Sequence, residues 1–419
     1  MFSLIKNLIF TDTGKDTVIV SIGTFINIVA GGLFFIIAPR ILGPEDYGLF
    51  STVVATGLMA ASIANFGIDT GILKFAKLGS SDFNKILSLA FKSYIFLGFL
   101  VTLIGIIFAH FLASFLDQPQ ITALLRIAFF GNMFILLTNF YVASLQARHQ
   151  FAKASIVNIV SNVSRLTVLA LSAYFFTVGL YFLTIIFFSA TLVSAIAGKF
   201  LMPFKYEKNN KADLLNFHKF NVWIALSLII STVPYENYLL LKIAGPIQTG
   251  FYAAPFKVLS FAHQFGGNLT RVFASRFSSF ETNQKAVNYA FKAALPVSIF
   301  IAVLVFLIIL SAPIIQIIFG ANFEDSVIVF RILAAGFIFF IASTIPSSII
   351  LYHLGKSKIS FLITVIRYLT FVVLLLLLVP SIQATGAAIA FSSSEFLSFI
   401  LMTAYLIYQI KSSRTSKDL

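Results

Sequence analysis

The sequence predicts an all-α membrane protein with about twelve transmembrane helices. Apolar residues make up 59% of the 419 residues and charged residues only 11%, whereas soluble globular domains contain about 25% charged residues. The apolar residues also form repeated runs of about 20, the length that a helix needs to cross about 30 Å of hydrocarbon. This composition, with a mean hydropathy of +0.98, excludes a water-soluble fold, and the length of the runs favours helices over a barrel.

Polar residues separate the apolar runs, and each run is interpreted as one transmembrane span. In chain order, spans 1 to 12 cover residues 16–38, 47–66, 86–112, 122–144, 155–178, 181–202, 220–242, 249–271, 289–312, 326–349, 359–380 and 384–409. The first run begins near Lys15 and lacks the small-residue cleavage pattern of a signal peptide. It is therefore expected to remain in the mature chain.

Lysine and arginine are distributed unevenly between the two sides of the membrane. If the amino terminus is cytoplasmic, most of these residues fall in inner segments, and the outer segments contain Arg40, Arg126, Lys242 and Arg331. Membrane proteins with short loops carry their excess of lysine and arginine on the cytoplasmic side. Both termini are therefore expected in the cytoplasm. The net charge of +14 is spread over helix ends rather than gathered in a soluble domain, so nucleic acid is not an expected partner.

Groups suited to catalysis or metal binding are scarce between the spans. The chain contains no cysteine, and its five histidines show no metal-ligand spacing. The outer loops are short, as at residues 117–120 and 322–325, and no loop is long enough to form a domain. Neither a metal nor another cofactor is expected, and the chain is not expected to be an enzyme.

A central hydrophilic stretch divides the chain into two halves of six spans. Residues 1–203 are predicted to form an N-terminal lobe, residues 204–219 a basic cytoplasmic linker, and residues 220–419 a C-terminal lobe. Because six is an even number, both halves enter the membrane from the same side. A repeat between them would then be parallel, with a pseudo-two-fold axis along the membrane normal and the substrate path between the lobes.

Matching residues at corresponding positions indicate that the two halves are repeats. The matching pieces are residues 43–50 (GPEDYGLF) and 245–252 (GPIQTGFY), Arg165 in span 5 and Arg367 in span 11, and residues 125–131 and 330–336 near the start of spans 4 and 10. The first two pairs share one separation in the sequence. The third pair differs slightly from it, as a difference in loop length would explain.

Polar side chains recur at helical spacing along several spans. In span 8 they are Lys257, Ser260, Gln264, Asn268 and Arg271, and in span 5 they are Ser155, Asn158, Asn162 and Arg165. Residues three or four apart lie on one helical face. Such a face either hydrogen-bonds to a neighbouring helix or lines a wet cavity. Asn158, Asn162, Gln264, Asn268 and Arg271 are therefore candidate cavity-lining residues.

Three cations inside the spans outnumber the nearby carboxylates. They are Arg165, Lys257 and Arg367, against Glu236 and Glu395. A charge at the bilayer centre costs about 2.5 to 3.5 kcal/mol on insertion scales, so it is expected to face a cavity or a partner. The positive surplus suits an anion, and guanidinium groups match phosphate oxygens in paired hydrogen bonds. The two glutamates are interpreted either as partners of these cations or as proton or sodium coupling sites.

Two further charged residues lie at span ends. Asp69, at the inner end of span 2, is interpreted as a turn or cap residue, with a coupling or charge-pair role as the alternative. Arg40, at the outer end of span 1, either extends to water or contributes to substrate binding.

Residues 39–51 read PRILGPEDYGLFS and resemble the signature of the polysaccharide biosynthesis exporters of the O-antigen flippase type. That family is part of a superfamily that includes multidrug and toxin extruders and lipid II flippases. Residues 65–72 (NFGIDTGI) and 250–257 (GFYAAPFK) add to the resemblance, which extends over nearly the whole chain through span number, repeat and size. It implies export of undecaprenyl-pyrophosphate-linked sugar units across the bacterial inner membrane, from the cytoplasmic to the periplasmic leaflet, by alternating access.

The resemblance also implies a binding site and partners. Arg40, Arg165, Lys257 and Arg367 match the positions expected to bind the anionic headgroup. The implied partners are the lipid-linked oligosaccharide and membrane lipid, with a polysaccharide polymerase as a further candidate. A monomer is expected, because each half already supplies one wall of the substrate path.

Two other functions remain as alternatives. A cation-coupled drug or metabolite antiporter of the same fold is disfavoured, because Asn27 is the only strongly polar residue between Val18 and Pro39 and no carboxylate occurs there. A membrane enzyme acting on a lipid-linked glycan is disfavoured by the short outer loops, which leave little room for catalytic groups.

Overall fold

The described part of the chain consists mainly of helices. The computed structural model describes residues 12–76, 82–209, 217–219, 221, 222, 225, 232–277, 280 and 282–415. No β-strand occurs among these residues. The predicted all-α fold class is therefore confirmed.

Six α-helices lie in the described residues of the first half of the chain. They are α1 (Asp12–Asn65), α2 (Ile68–Phe75), α3 (Phe83–Phe115), α4 (Thr122–Ala147), α5 (Phe151–Phe175) and α6 (Leu180–Leu201). Helix α1 contains predicted spans 1 and 2, joined at a non-helical Gly43 with φ 72° and ψ 175°. Spans 3 to 6 correspond to α3 to α6. Their boundaries shift by a few residues, and α5 lies earlier in the chain than the predicted 155–178.

Six further α-helices lie in the described residues of the second half. They are α7 (Tyr235–Leu259), α8 (Phe261–Phe277), α9 (Asn283–Ile309), α10 (Ser311–Phe319), α11 (Ser326–Ser348) and α12 (Ser357–Thr415). Helix α12 contains spans 11 and 12, separated by non-helical torsions at Ile382 and Gln383. Span 7, predicted over 220–242, falls partly outside the described residues.

The prediction of one continuous span 8 over residues 249–271 is wrong. The helix is interrupted at Ser260, between α7 and α8. The Ser260 hydroxyl donates to the carbonyl oxygen of Lys257 at 2.7 Å, and the amide of His263 donates to the carbonyl oxygen of Ser260 at 3.0 Å. Serine side chains that bond to the preceding turn bend helices in this way. Lys257 and Gln264 therefore do not share one uninterrupted helical face.

Eight described helices are long and apolar enough to cross a membrane, judged by length and composition. They overlap every predicted span except 7 and 8, because Val29–Phe75 covers the end of span 1 and all of span 2, and Ser357–Gln409 covers spans 11 and 12. The protein is therefore a multi-pass membrane protein, while the total of twelve spans stays a prediction.

The chain folds into two compact units. One comprises Met1–Leu42 together with Leu49–Pro234, and the other comprises Gly43–Gly48 together with Tyr235–Leu419. The core of the first unit contains a cluster of fully buried aromatic and aliphatic side chains, among them Leu87, Tyr94 and Phe140. In the second unit, Phe337 packs against Phe256 and Phe391, with ring centroids 5.8 Å and 5.0 Å apart.

Backbone torsions at the two glycine-proline turns agree with the predicted repeat. Gly43 has φ 72° and ψ 175°, and Gly245 has φ 84° and ψ 177°. Both lie in a region of positive φ that residues with a Cβ rarely adopt. The matched residues therefore perform the same conformational task in each half.

The two turns also pack against each other through a reciprocal contact, which we call the glycine interlock and which comprises Pro44, Gly48, Pro246 and Gly250. All four residues belong to the second compact unit. A Cβ on Gly48 would overlap the carbonyl oxygen of Pro246, and a Cβ on Gly250 would overlap that of Pro44. Only glycine allows the two backbones to approach so closely.

A second pair of glycines occupies equivalent places within the two halves. A Cβ on Gly131 of α4 would lie 2.6 Å from Phe188 of α6. A Cβ on Gly336 of α11 would lie 2.9 Å from Phe391 of α12. In each half, a glycine from the fourth span thus receives a phenylalanine from the sixth, as the predicted repeat requires.

The described residues of the linker pack against α3. Asn209 accepts a hydrogen bond from Lys92 Nζ at 3.0 Å and donates to the carbonyl oxygen of Lys85 at 2.7 Å. The amide of Glu207 donates to Ser88 Oγ at 2.8 Å. His218 Nε2 lies 3.0 Å from Ser93 Oγ. The linker is therefore attached to the first unit at several points.

Acid is expected to loosen this attachment, because burial lowers the pKa of the His218 imidazole below its ordinary value of 6.5. Because the pKa of His218 is lower in the docked segment than in the undocked one, the undocked segment is protonated first as the pH falls. Docking should be strongest above about pH 6.5 and should weaken as the pH falls towards the lowered pKa. We expect amide hydrogen exchange at residues 204–209, corrected for its intrinsic pH dependence, to speed up over this interval. A His218→Gln variant should lose the pH dependence of exchange. If the pH dependence persisted in this variant, His218 would not be its cause.

Candidate functional site

Arg165, on α5, places a buried guanidinium among polar side chains of the first compact unit. Its side chain is 6% exposed. Nη1 donates to Asn162 Oδ1 at 3.0 Å, and Nη2 donates to the carbonyl oxygen of Phe187 at 3.2 Å. Nε has no hydrogen-bond partner. Within the described part of the chain, this cation is held by neutral acceptors, and its Nε–H group makes no hydrogen bond.

Two aromatic rings flank the guanidinium. Its central carbon lies 3.9 Å from the ring centroid of Phe187 and 5.4 Å from that of Phe34. The electron-rich face of an aromatic ring attracts a cation, by roughly 2 kcal/mol when water is excluded. The rings therefore help to keep Arg165 charged and in place without a carboxylate.

A chain of asparagines links Arg165 to α1. Asn162 donates from Nδ2 to Asn27 Oδ1 at 2.6 Å, while its own Oδ1 accepts from Arg165. Gly31 allows this approach, because a Cβ there would lie only 3.3 Å from Asn162 Nδ2. Asn158 lies one turn before Asn162 on the same face of α5 and is half-buried. These contacts fix the orientation of the guanidinium.

A cavity of about 170 Å³ opens beside Arg165 within the first unit. Its lining residues come from α1, α4, α5 and α6 and are mostly polar: Asn27, Leu58, Ile135, Thr138, Asn139, Asn158, Ser161, Asn162, Arg165, Phe187 and Thr191. Among these described residues, Arg165 alone carries a charge. The volume corresponds to about five waters at roughly 30 Å³ each. It lies below the range of roughly 300–1,000 Å³ typical of small-molecule pockets. The cavity therefore suits a compact anionic group rather than a whole amphiphile.

The second compact unit contains an ion pair. Arg367 Nη1 contacts Glu395 Oε1, and both residues lie on α12, on opposite sides of its break. The Glu395 side chain is 2% exposed and that of Arg367 is 20% exposed. The Arg367 guanidinium also lies 4.2 Å from the ring centroid of Tyr368. The geometry of Glu395 is that of a partner for a cation, one of the two roles predicted for it.

The polar residues predicted for span 8 are separated by the interruption at Ser260. Lys257 is half-buried near the end of α7, and Gln264 is exposed on α8. The side chains of Asn268 and Arg271 lie outside the described part of the structure. The helix bend therefore gives Lys257 and Gln264 different surroundings.

The remaining predicted site residues lie at helix ends. Glu236 occupies the first turn of α7, where the helix dipole favours a carboxylate. Asp69 occupies the first turn of α2, and its Oδ1 accepts from the amide of the next residue, Thr70, at 2.7 Å. This helix start has no side-chain cap hydrogen bond, so the role of Asp69 stays a prediction. Arg40 is exposed shortly before the turn at Gly43.

The structure brings together some predicted residues and adds others that the sequence did not single out. Asn158, Asn162 and Arg165 line the same cavity, whereas Lys257 and Arg367 belong to the other compact unit. Asn27 and Asn139 join the cavity, although neither was predicted as a site residue. A single asparagine in the otherwise apolar span 1 is a signal that could have identified Asn27.

Comparison with known proteins decides the family. Residues 36–328 match the family model described as "Polysaccharide biosynthesis protein". The match covers more than half of the chain. The chain belongs to this family. The resemblance inferred from residues 39–51 is thereby confirmed.

One relative in sequence and two solved structures of similar fold are named as transporters or flippases. A proposed O-antigen transporter of Shigella flexneri is 25% identical over 434 residues, which cover 96% of this chain and 97% of the relative. In fold, the present chain is similar to the lipid II flippase MurJ. The TM-score is 0.76, and the two are 16% identical over 94% of this chain and 87% of MurJ. The present chain is also similar to an inward-facing multidrug resistance transporter of the MATE family, with a TM-score of 0.75 and 12% identity over 93% and 95%.

The family match and the structural matches support different conclusions. At 12% and 16% identity, the solved structures establish the fold of the chain alone. The Shigella relative is named as a transporter and not as an enzyme, which agrees with the prediction of a transport role.

Proposed function

We propose that the protein is a flippase that exports undecaprenyl-pyrophosphate-linked oligosaccharide units. It would move them from the cytoplasmic to the periplasmic leaflet of the bacterial inner membrane by alternating access. The observation that carries this proposal is the Arg165 guanidinium, buried at a polar cavity with no carboxylate partner in the described chain. The similarity to a proposed O-antigen transporter supports the same class of substrate.

A buried cation without a counter-ion favours an anionic guest. Removing a guanidinium from water costs several kcal/mol, and hydrogen bonds to neutral acceptors such as Asn162 and the Phe187 carbonyl replace only part of its hydration. An entering phosphate group would supply both charge and acceptors for the unused Nε. The binding energy would then come chiefly from the headgroup, which all substrates on the same lipid carrier share.

The charge of the described lining disfavours the antiporter alternative. A cationic drug entering this cavity would meet Arg165 and, among the described lining residues, no carboxylate to offset it. Repulsion between like charges in a poorly hydrated site costs more than in water. The cavity is therefore selective against cations.

Several further features belong to the same proposal. Arg40, Lys257 and Arg367 would contact the headgroup at other stages of the transport cycle, with Gln264, Asn268 and Arg271 lining the path. The protein would act as a monomer with both termini in the cytoplasm, surrounded by membrane lipid. A polysaccharide polymerase would receive the exported units.

Replacing Arg165 with glutamine tests the proposal. A hydrogen bond to a charged group contributes about 1.5–3 kcal/mol, so substrate affinity should fall roughly 10- to 100-fold. Surface glycan in cells that lack the chromosomal gene should fall accordingly, at equal protein level by immunoblot. Arg165→Lys should restore export only in part, because an ammonium lacks the flat fork of the guanidinium.

The matched control is Arg126→Gln, because Arg126 is an exposed arginine on α4 that does not line the cavity. It should export glycan at the wild-type rate. Wild-type export by Arg165→Gln would end the proposal.

A further inference from the structure

The second compact unit contains a larger cavity that the proposed headgroup site does not use. Its volume is about 590 Å³, within the range of roughly 300–1,000 Å³ for small-molecule pockets. The residues that line it come from α7, α10, the turn after α10, α11 and the break in α12. On the predicted topology, these segments lie at the periplasmic ends of spans 8 to 12. We call it the outer pocket.

The polar groups of the outer pocket are amides, carboxylates, one guanidinium and one hydroxyl. They are Gln248, Gln316, Gln383, Glu324, Asp325, Arg331 and Thr385. Arg331 is held in place because its Nε donates at 2.7 Å to the hydroxyl of Ser311, which is fully buried. Phe251 and Ile315 supply apolar wall. Amides both donate and accept, so this lining suits a ligand with many hydroxyl groups rather than a single charge.

Charge distinguishes the outer pocket from the cavity at Arg165. Two carboxylates face one guanidinium here, so the described lining is slightly negative and would repel a pyrophosphate. It accepts a neutral or amino-bearing polyol. The two sites therefore match the two chemically different ends of a lipid-linked glycan.

Irregular backbone also supports a polar occupant. Gln383 has φ 48°, a strained value for a residue with a Cβ, at the point where α12 is broken. The amide of Ala384 reaches the Gln248 side chain only at 3.4 Å. Broken helices near membrane depth occur where the freed backbone groups are buried in protein or line a cavity. Strain of this kind persists at sites that bind ligands.

We infer that the outer pocket is a saccharide-binding site that holds the glycan portion of the substrate on the periplasmic side. The inference rests on the proposed function for the direction of transport and for the identity of the glycan. The recognition chemistry, hydrogen bonding to hydroxyl groups, rests on the pocket alone.

A binding experiment with lipid-free sugar tests the inference. The probe is the oligosaccharide released by mild acid from the lipid-linked units of the host strain. It is titrated calorimetrically into the full-length protein in nanodiscs. A Gln316→Ala/Gln383→Ala double variant should bind it about tenfold more weakly, the effect of losing two ordinary hydrogen bonds.

The matched control is Gln118→Ala/Gln120→Ala, which removes two outer-loop glutamines that bond to each other and do not line the pocket. This control should bind like the wild type, and thermal melting should show that both double variants are folded. Equal affinity of the Gln316/Gln383 variant and the wild type, or no binding by the wild type, would overturn the inference.

The probe carries neither lipid nor pyrophosphate, so the result is independent of the headgroup site. If the protein binds the sugar, the Gln316/Gln383 variant does not, and no lipid-linked glycan is exported, the saccharide site is supported and the proposed function is refuted. If export depends on Arg165 but the protein binds no sugar, the proposed function is supported and the saccharide site is refuted.

Discussion

Gly250→Ala is expected to prevent the protein from accumulating in a folded form. The added methyl would overlap the carbonyl oxygen of Pro44 and lie 3.0 Å from its Cα. A backbone atom cannot rotate away as a side chain can, so the cost should exceed the roughly 1–3 kcal/mol typical of an overpacked core. The measurement is the yield of monodisperse protein in size-exclusion chromatography, together with its melting temperature.

Gly267→Ala is the matched control for this prediction. Gly267 lies on α8 in the same unit, has no atom within 4 Å of an added Cβ and has no positive φ. Alanine there should be neutral or stabilising by about 0.5–1 kcal/mol, the usual helix preference. Gly48→Ala should behave like Gly250→Ala, because a Cβ there would overlap the carbonyl oxygen of Pro246. A Gly250→Ala protein that melts like the control would show that the glycine interlock is not tightly packed.

Arg367→Gln is expected to destabilise the second unit strongly. It leaves the carboxylate of Glu395, 2% exposed, without its partner. Breaking a buried pair by removing one member typically costs about 3–5 kcal/mol, because an uncompensated charge stays buried. The melting temperature of the detergent-purified protein should fall clearly.

A double substitution separates the pair from other effects of Arg367. Arg367→Gln/Glu395→Gln removes both charges and should recover most of the lost stability, because no buried charge is stranded. Glu395→Gln alone should cost less than Arg367→Gln, since Arg367 is partly exposed and can keep some water. A double variant whose loss equals the sum of the two single losses would mean that the two side chains are not energetically coupled.

The sequence was sufficient for the all-α fold class and for the position of most spans, because that information is local. Hydrophobic run length fixes the helices, and the repeated turn at Gly43 and Gly245 follows from the need for positive φ at both corners. Arg165 was also predictable, since a cation at mid-span must face a cavity or a partner. These conclusions need only spacing and residue type.

The partners of the predicted residues could not be derived from spacing. The Arg367–Glu395 pair joins the two arms of α12 across its break, and the contact between Asn162 and Asn27 joins α5 to α1. Such contacts depend on how distant helices pack. The interruption at Ser260 was missed for another reason: periodicity assumes a regular helix, and a side-chain hydrogen bond to the preceding turn ended that regularity.

The glycine interlock also bears on the origin of the chain. The glycine of each turn contacts the proline carbonyl of the other turn. This reciprocal arrangement is that of an isologous contact, in which the same surface is used by both partners. A polypeptide of half this length could therefore have made the same contact by associating with an identical copy of itself. Gene duplication and fusion would then have preserved an ancestral dimer inside a single chain, with these four residues as its trace.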